Sequence, residues 1–265
     1  MKAFVFMPML AMAAMAATIG ETDRFIPLVQ DGGGWTTEIT LVNLLRKPAT
    51  VSVTFLNDKG MNDLWKLSIK ASVGKVFPNG AEIGMAPGAS VTISTGGEST
   101  TMSRGFADIV EFQDQLVAGF ATLIRREAGV VVERLHVPLT PANERRSTVL
   151  LDFSQGETLQ MVWVTLTTST TLDVLFRNAA GETVFTDVVR VDDSAQKVVD
   201  LLETWPKLAG FKGSLEWTVS FPNADRYENR TLAGIALHRA QESGRLTGVS
   251  QGMTLRADQS STSPY

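Results

Sequence analysis

The chain has 265 residues, 44% of them hydrophobic, and a formal net charge of −4. That is enough apolar material for more than one packed core. It excludes wholesale disorder and the basic footprint that nucleic-acid binding requires. No cysteine occurs, which excludes disulfide staples, thiolate metal centres and thiol nucleophiles.

In chain order, Lys2 precedes an apolar run from Ala3 to Ala17, and Ala14-Met15-Ala16 has small-x-small spacing. This predicts a secretory signal peptide over residues 1–17. The run is too short for a comfortable membrane span, and Pro8 weakens a continuous helix. The mature chain is therefore expected to be secreted, extracellular or at the cell surface, with the periplasm as the other destination. No membrane span is expected after signal cleavage.

Residues 21–138 read as a first β module. Val51, Val53 and Phe55 alternate with Ser52, Thr54 and Leu56, the pattern of a half-buried strand. Asn57-Asp58-Lys59-Gly60 predicts a hairpin turn, and Val73 to Ile83 an additional hairpin or long loop. Met85-Ala86-Pro87-Gly88 is a turn feeding a strand over Ser90–Ser94. Residues 139–147 form a linker containing Pro141, Asn143 and Glu144-Arg145-Arg146, stiff enough to hold two modules end to end.

Residues 148–256 read as a second module. Leu172, Val174 and Phe176 repeat the inward set of the first, and Asn178-Ala179-Ala180-Gly181 repeats its turn. Ala118-Gly119-Phe120-Ala121 returns as Ala233-Gly234-Ile235-Ala236, which places His238 opposite Leu123 of the first copy. Pro222 to Arg230 is an addition where the first copy turns at Gln113-Asp114-Gln115. Asp200 followed by Leu201-Leu202-Glu203 predicts a single capped helical turn before Pro206. Residues 257–265 are polar and read as a disordered tail. The expected fold is all-β: two tandem immunoglobulin-like β-sandwich domains from an internal duplication, each held by its own core.

Phe25-Ile26-Pro27-Leu28-Val29-Gln30-Asp31-Gly32-Gly33-Gly34-Trp35-Thr36-Thr37, with Leu41-Val42-Asn43 and Ala86-Pro87-Gly88-Ala89-Ser90-Val91, resembles a functionally uncharacterised group of exported bacterial tandem immunoglobulin-like β-sandwich modules. The resemblance implies a fold and a location. It implies no activity. The second module has Ser154-Gln155-Gly156 in place of the Gly-rich Trp motif.

Asp31, Gly32, Gly33, Gly34 and Trp35 are the candidate contact residues. Three glycines allow close backbone approach, and Trp35 offers a flat face with an N–H donor. The bland alternative is a bulge with Trp35 capping the core; Trp65, Trp163, Trp205 and Trp217 read as core or rim. Gly248-Val249-Ser250-Gln251-Gly252 has nucleophile-elbow spacing, but neither a helical pattern nor a histidine follows it, so coincidence is the better reading. Ser194-Ala195-Gln196-Lys197 lies in a loop rather than a helix. His136 and His238 fall in different modules, with nothing to place them together. Asp192-Asp193, Asn57-Asp58 and Asn62-Asp63 lack calcium-loop spacing.

These residues predict a non-enzymatic exported structural, adhesive or assembly module, with no cofactor and no metal. Its expected partners are other cell-surface proteins or itself, through strand addition to an exposed edge. Polysaccharide is a further partner class under the alternative of a carbohydrate-binding module using Trp35. A periplasmic chaperone-like accessory protein is the other alternative.

Overall fold

The computed structural model describes residues 22–59, 65–111, 117–141, 146–166, 169–193, 195–220, 232–240, 245–251 and 253–254. The expected signal peptide, the tail, Asn62-Asp63, Gln113–Gln115, most of the linker charges, Ser194, Pro222–Arg230 and Gly252 lie outside the described residues.

The first half contains β1 (Thr22–Asp31), β2 (Trp35–Asn43), β3 (Ala49–Asn57), β4 (Ile69–Ala71), β5 (Lys75–Phe77), β6 (Gly80–Met85), β7 (Ser90–Thr95), β8 (Ser103–Glu111), β9 (Val117–Glu127), β10 (Val130–Pro138) and β11 (Thr140–Pro141). The second contains β12 (Arg146–Asp152), β13 (Glu157–Val164), β14 (Thr170–Asn178), β15 (Thr183–Val191), β16 (Gln196–Asp200), α1 (Leu201–Thr204), β17 (Lys212–Ser220), β18 (Ala233–Ala240), β19 (Leu246–Gln251) and β20 (Met253–Thr254). Strands dominate because the alternating β-branched and aromatic runs suit a half-buried pleated surface. The single helical turn forms where expected: Asp200 accepts hydrogen bonds from the Leu202 and Glu203 amides.

Among the described residues, the strands make four antiparallel sheets. Their orders are β11-β1-β8-β3-β6-β5 and β10-β9-β2-β7-β4 in the first half, and β15-β14-β17-β12-β20 and β16-β13-β18-β19 in the second. With β4 and β5 set aside, the two halves have the same order. The predicted extra hairpin is β5–β6, where Phe77 pairs with Gly80. The Asn178–Gly181 turn joins β14 to β15, with the Gly181 amide donating to the Asn178 carbonyl.

Each half is a sandwich. Val51, Val53, Phe55 and Ile109 of one sheet meet Ile39, Leu41, Val91 and Leu123 of the other. Leu172, Val174, Phe176 and Trp217 likewise meet Leu159, Met161 and Trp163. In a constant-type immunoglobulin sandwich the second strand pairs with the fifth and the third with the sixth. Both pairings are present, as β2–β7 and β3–β8. The outer strands trade sheets, however: β1 joins β8, and β9 joins β2.

The halves are joined face to face, where an end-to-end arrangement was expected. The sheet β16-β13-β18-β19 is apolar on both faces. One face carries Leu159, Met161, Trp163 and Ala236 into its own core. The other carries Val162, Ile235, Leu237 and Leu246 into the cluster of the first half. Beside it, Val164 and Ala233 pack on Phe25, Leu56 and Phe106.

Several polar groups at this seam find partners across it. Pro27 cannot donate to a ladder, and β1 bulges there, with the register slipping between Ile26 and Val29. The Gln196 side-chain amide crosses from the second half and donates to the carbonyls of Pro27 and Gly105, each at 2.7 Å. Buried Glu133 accepts the Leu246 amide at 2.7 Å, and Arg245 donates to the Val132 carbonyl.

Candidate functional site

The Gly-rich turn closes on the protein itself. Gly32, Gly33 and Gly34 all have positive φ, at 78°, 57° and 87°. Gly32 and Trp35 exchange backbone hydrogen bonds, so Gly33 and Gly34 form the tip of a tight β1–β2 turn. The close approach that glycine permits is made to the chain's own backbone. A Cβ on Gly32 would lie 2.4 Å from the Thr101 carbonyl oxygen, and one on Gly34 would lie 2.5 Å from that of Arg126. The Gly33 amide donates to Ser99, the Arg126 amide donates to Gly34, and Asp31 accepts the Gly97 amide at 2.8 Å.

Trp35 is 9% exposed and packs in the first core. The five predicted contact residues are thus brought together, but as a closure of the sandwich end. Trp35 presents no open face on which a sugar ring could stack. Trp65, Trp163, Trp205 and Trp217 are buried as expected.

The histidines remain apart. His136 meets Thr122 and the Phe120 ring. The His238 Nε2 lies 3.0 Å from Ser250 Oγ, and its Nδ1 lies 3.5 Å from Glu157 Oε2. Ser250 therefore does have a histidine partner, one that precedes it in the chain. A search restricted to the chain order of α/β-hydrolases passes over this pair, although serine–histidine–acid sets occur in several orders. Ser250 does not line the neighbouring cleft, so its hydroxyl serves to hold the imidazole.

That cleft, of about 580 Å³, opens at the end of the second sandwich. Leu151, Phe153 and Leu159 give it apolar walls, and Asp152, Glu157, Lys212 and His238 bring charge and hydrogen-bonding capacity. Asp152 caps the short 3₁₀ turn over Phe153–Gln155. Its Oδ1 accepts from the Ser154 hydroxyl at 2.5 Å, and Oδ2 lies 2.9 Å from Lys212 Nζ. The Ser154 hydrogen bond first, then Lys212, draws its pKa down to about 2. Among the described residues, no group of three or more side chains has the makings of a metal site.

No protein-family model matches the chain, and no curated protein matches it. Its function must therefore be read from its own residues. Sequence reasoning missed Asp152, Glu157 and Lys212. The available signal was the alignment of His238 with apolar Leu123: a polar ring at a core position marks a place where the core stops.

A second surface is the edge of β15. This nine-residue strand ends its sheet, and its outer edge is unpaired among the described residues. Val184 and Val188 on it are 52% and 59% exposed. The matching strand of the first half, β6, is partly covered by β5, which pairs over Gly80–Glu82.

Proposed function

We propose that this chain is an exported bacterial structural or assembly module, made of two copies of one immunoglobulin-like unit, that acts at the cell surface by protein–protein contact. The apolar run behind Lys2 supports export. The shared strand order of the two halves supports the duplication. The observation that carries the contact mechanism is the open β15 edge on a body stiffened by the seam between the halves. An unpaired edge offers a row of backbone donors and acceptors to an incoming strand, and exposed valines favour pairing over solvation. The mode of action is edge display: a partner strand, from another surface protein or a second copy, extends the sheet beyond β15.

The test is cross-linking of the exported protein in its native cells, with a photoreactive residue in place of Thr186. A cross-linked partner that disappears in Val188→Lys supports the reading, because a lysine on an edge blocks strand addition. Unchanged cross-linking in Val188→Lys, or no adduct at all, overturns it.

A further inference from the structure

The matched ends of the two sandwiches are filled differently. Ile39 pairs with Ala121 in the first half as Met161 pairs with Ala236 in the second. Stepping along both ladders from there, Leu123 corresponds to His238, and Trp35 corresponds to Glu157. In the first half the indole of Trp35 and the side chain of Leu123 are buried in the core. In the second, the shorter Glu157 and the imidazole of His238 stand at those positions, and a cleft of about 580 Å³ lies beside them. Phe153, Leu151 and Leu159 keep their apolar surfaces along it.

We propose that this cleft is a binding site for a small aromatic amine, whose ring lies against the Phe153 and Leu159 walls as the Trp35 indole lies in the first core, and whose ammonium pairs with Glu157. The site is independent of the β15 edge. The volume is that of a small-molecule pocket, with mostly apolar walls and a few polar groups to orient the ligand. The charge balance selects a cation. Lys212 is matched to Asp152 at 2.9 Å, and Asp152 stays ionised because Ser154 and Lys212 both favour its charged form. Among the described residues, Glu157 Oε2 lies 3.5 Å from the Nδ1 of an imidazole that Ser250 engages at its other nitrogen. A bound ammonium gives the half-exposed Glu157 carboxylate a charged donor, and charge-assisted hydrogen bonds are stronger than neutral ones.

The test is calorimetric titration of the mature full-length protein near neutral pH with three probes: tryptamine, indole-3-acetate and n-butylamine. Saturable tryptamine binding is expected in the low-millimolar range or tighter. The other two, lacking the charge or the ring, are expected to bind at least about tenfold more weakly. Glu157→Gln should weaken tryptamine by about tenfold or more while leaving the thermal midpoint near its original value. Glu157→Trp, which places the first-half residue in the cleft, should abolish binding in a protein with an unchanged circular dichroism spectrum. The proposal is overturned by no saturable tryptamine binding, by equal binding of tryptamine and indole-3-acetate, or by undiminished binding in Glu157→Gln.

Discussion

The sheets β10-β9-β2-β7-β4 and β16-β13-β18-β19 hold matching places in the two halves, yet their outer faces differ. On the first, Phe120 is 40% exposed and Thr122 meets a histidine. On the second, the matched positions hold Ile235 and Leu237, both sealed against the other half. One strand order thus serves two ends. A polar outer face leaves a sheet facing solvent, and an apolar one makes it the middle layer of a larger body. The same contrast recurs at the sandwich ends, closed by Trp35 and open at Glu157, and at the sheet edges, where β6 is partly covered by β5 and β15 is unpaired among the described residues.

The largest expected effect comes from charging the buried outer face. Ile235→Asp should cost about 4 kcal/mol or more, because it strands a carboxylate in an apolar seam. Phe120→Asp, at the matched position, should cost about 1 kcal/mol or less. Urea melts of the two variants give the comparison directly, and equal losses would erase the distinction between the faces.

Truncating the plug comes next. Trp35→Ala should cost about 3–5 kcal/mol by leaving a cavity. His238→Leu, which places the first-half residue at the open end, should be neutral or stabilising by up to about 1 kcal/mol. A thermal midpoint that falls in His238→Leu would mean that the imidazole is structural.

The seam can be probed through its bulge. Gln196→Ala leaves the Pro27 and Gly105 carbonyls without their donor, at an expected cost of about 2–4 kcal/mol. Amide exchange should rise on both sides of the seam, in β1 and in β16. Faster exchange confined to the second half would show that the bulge stands by itself.

The smallest effect is pH-dependent. Asp187 accepts from the Trp205 indole N–H at 2.7 Å and from the Val188 amide, which holds its pKa below the usual range. The folded form thus favours the carboxylate. Its contribution is complete above the unfolded value of about 3.9 and is lost as pH falls through the depressed folded value. Because Asp187 is largely open to solvent, Asp187→Asn should cost less than about 1 kcal/mol near neutral pH. The difference from the parent should vanish in acid. A gap that persists there would assign the effect to packing.

Local patterns carried the strands. Val51, Val53 and Phe55, and their counterparts Leu172, Val174 and Phe176, alternate in sequence and are buried together in the structure. The β5–β6 hairpin and the Asp200 cap were equally legible, because each is encoded within a few residues. The seam left a fainter trace. Met161-Val162-Trp163-Val164 and Ala233-Gly234-Ile235-Ala236-Leu237 are continuous apolar runs, the mark of a strand buried on both faces, although the linker suggested a simple chain of modules.

The candidate contact loop was legible as an unusual turn, but its purpose was not. The groups that crowd Gly32 and Gly34 belong to Ser99, Thr101 and Arg126, and no local pattern reveals them. The cleft was hidden for a similar reason. Glu157 and His238 meet only because β13 pairs with β18.

If the apolar outer face of β13 and β18 joins the two sandwiches into one cooperative body, the whole protein melts as a unit. Differential scanning calorimetry of the mature protein tests it most directly. One transition is expected, with calorimetric and van't Hoff enthalpies that agree. Two resolved transitions, each carrying about half of the total enthalpy, would contradict it.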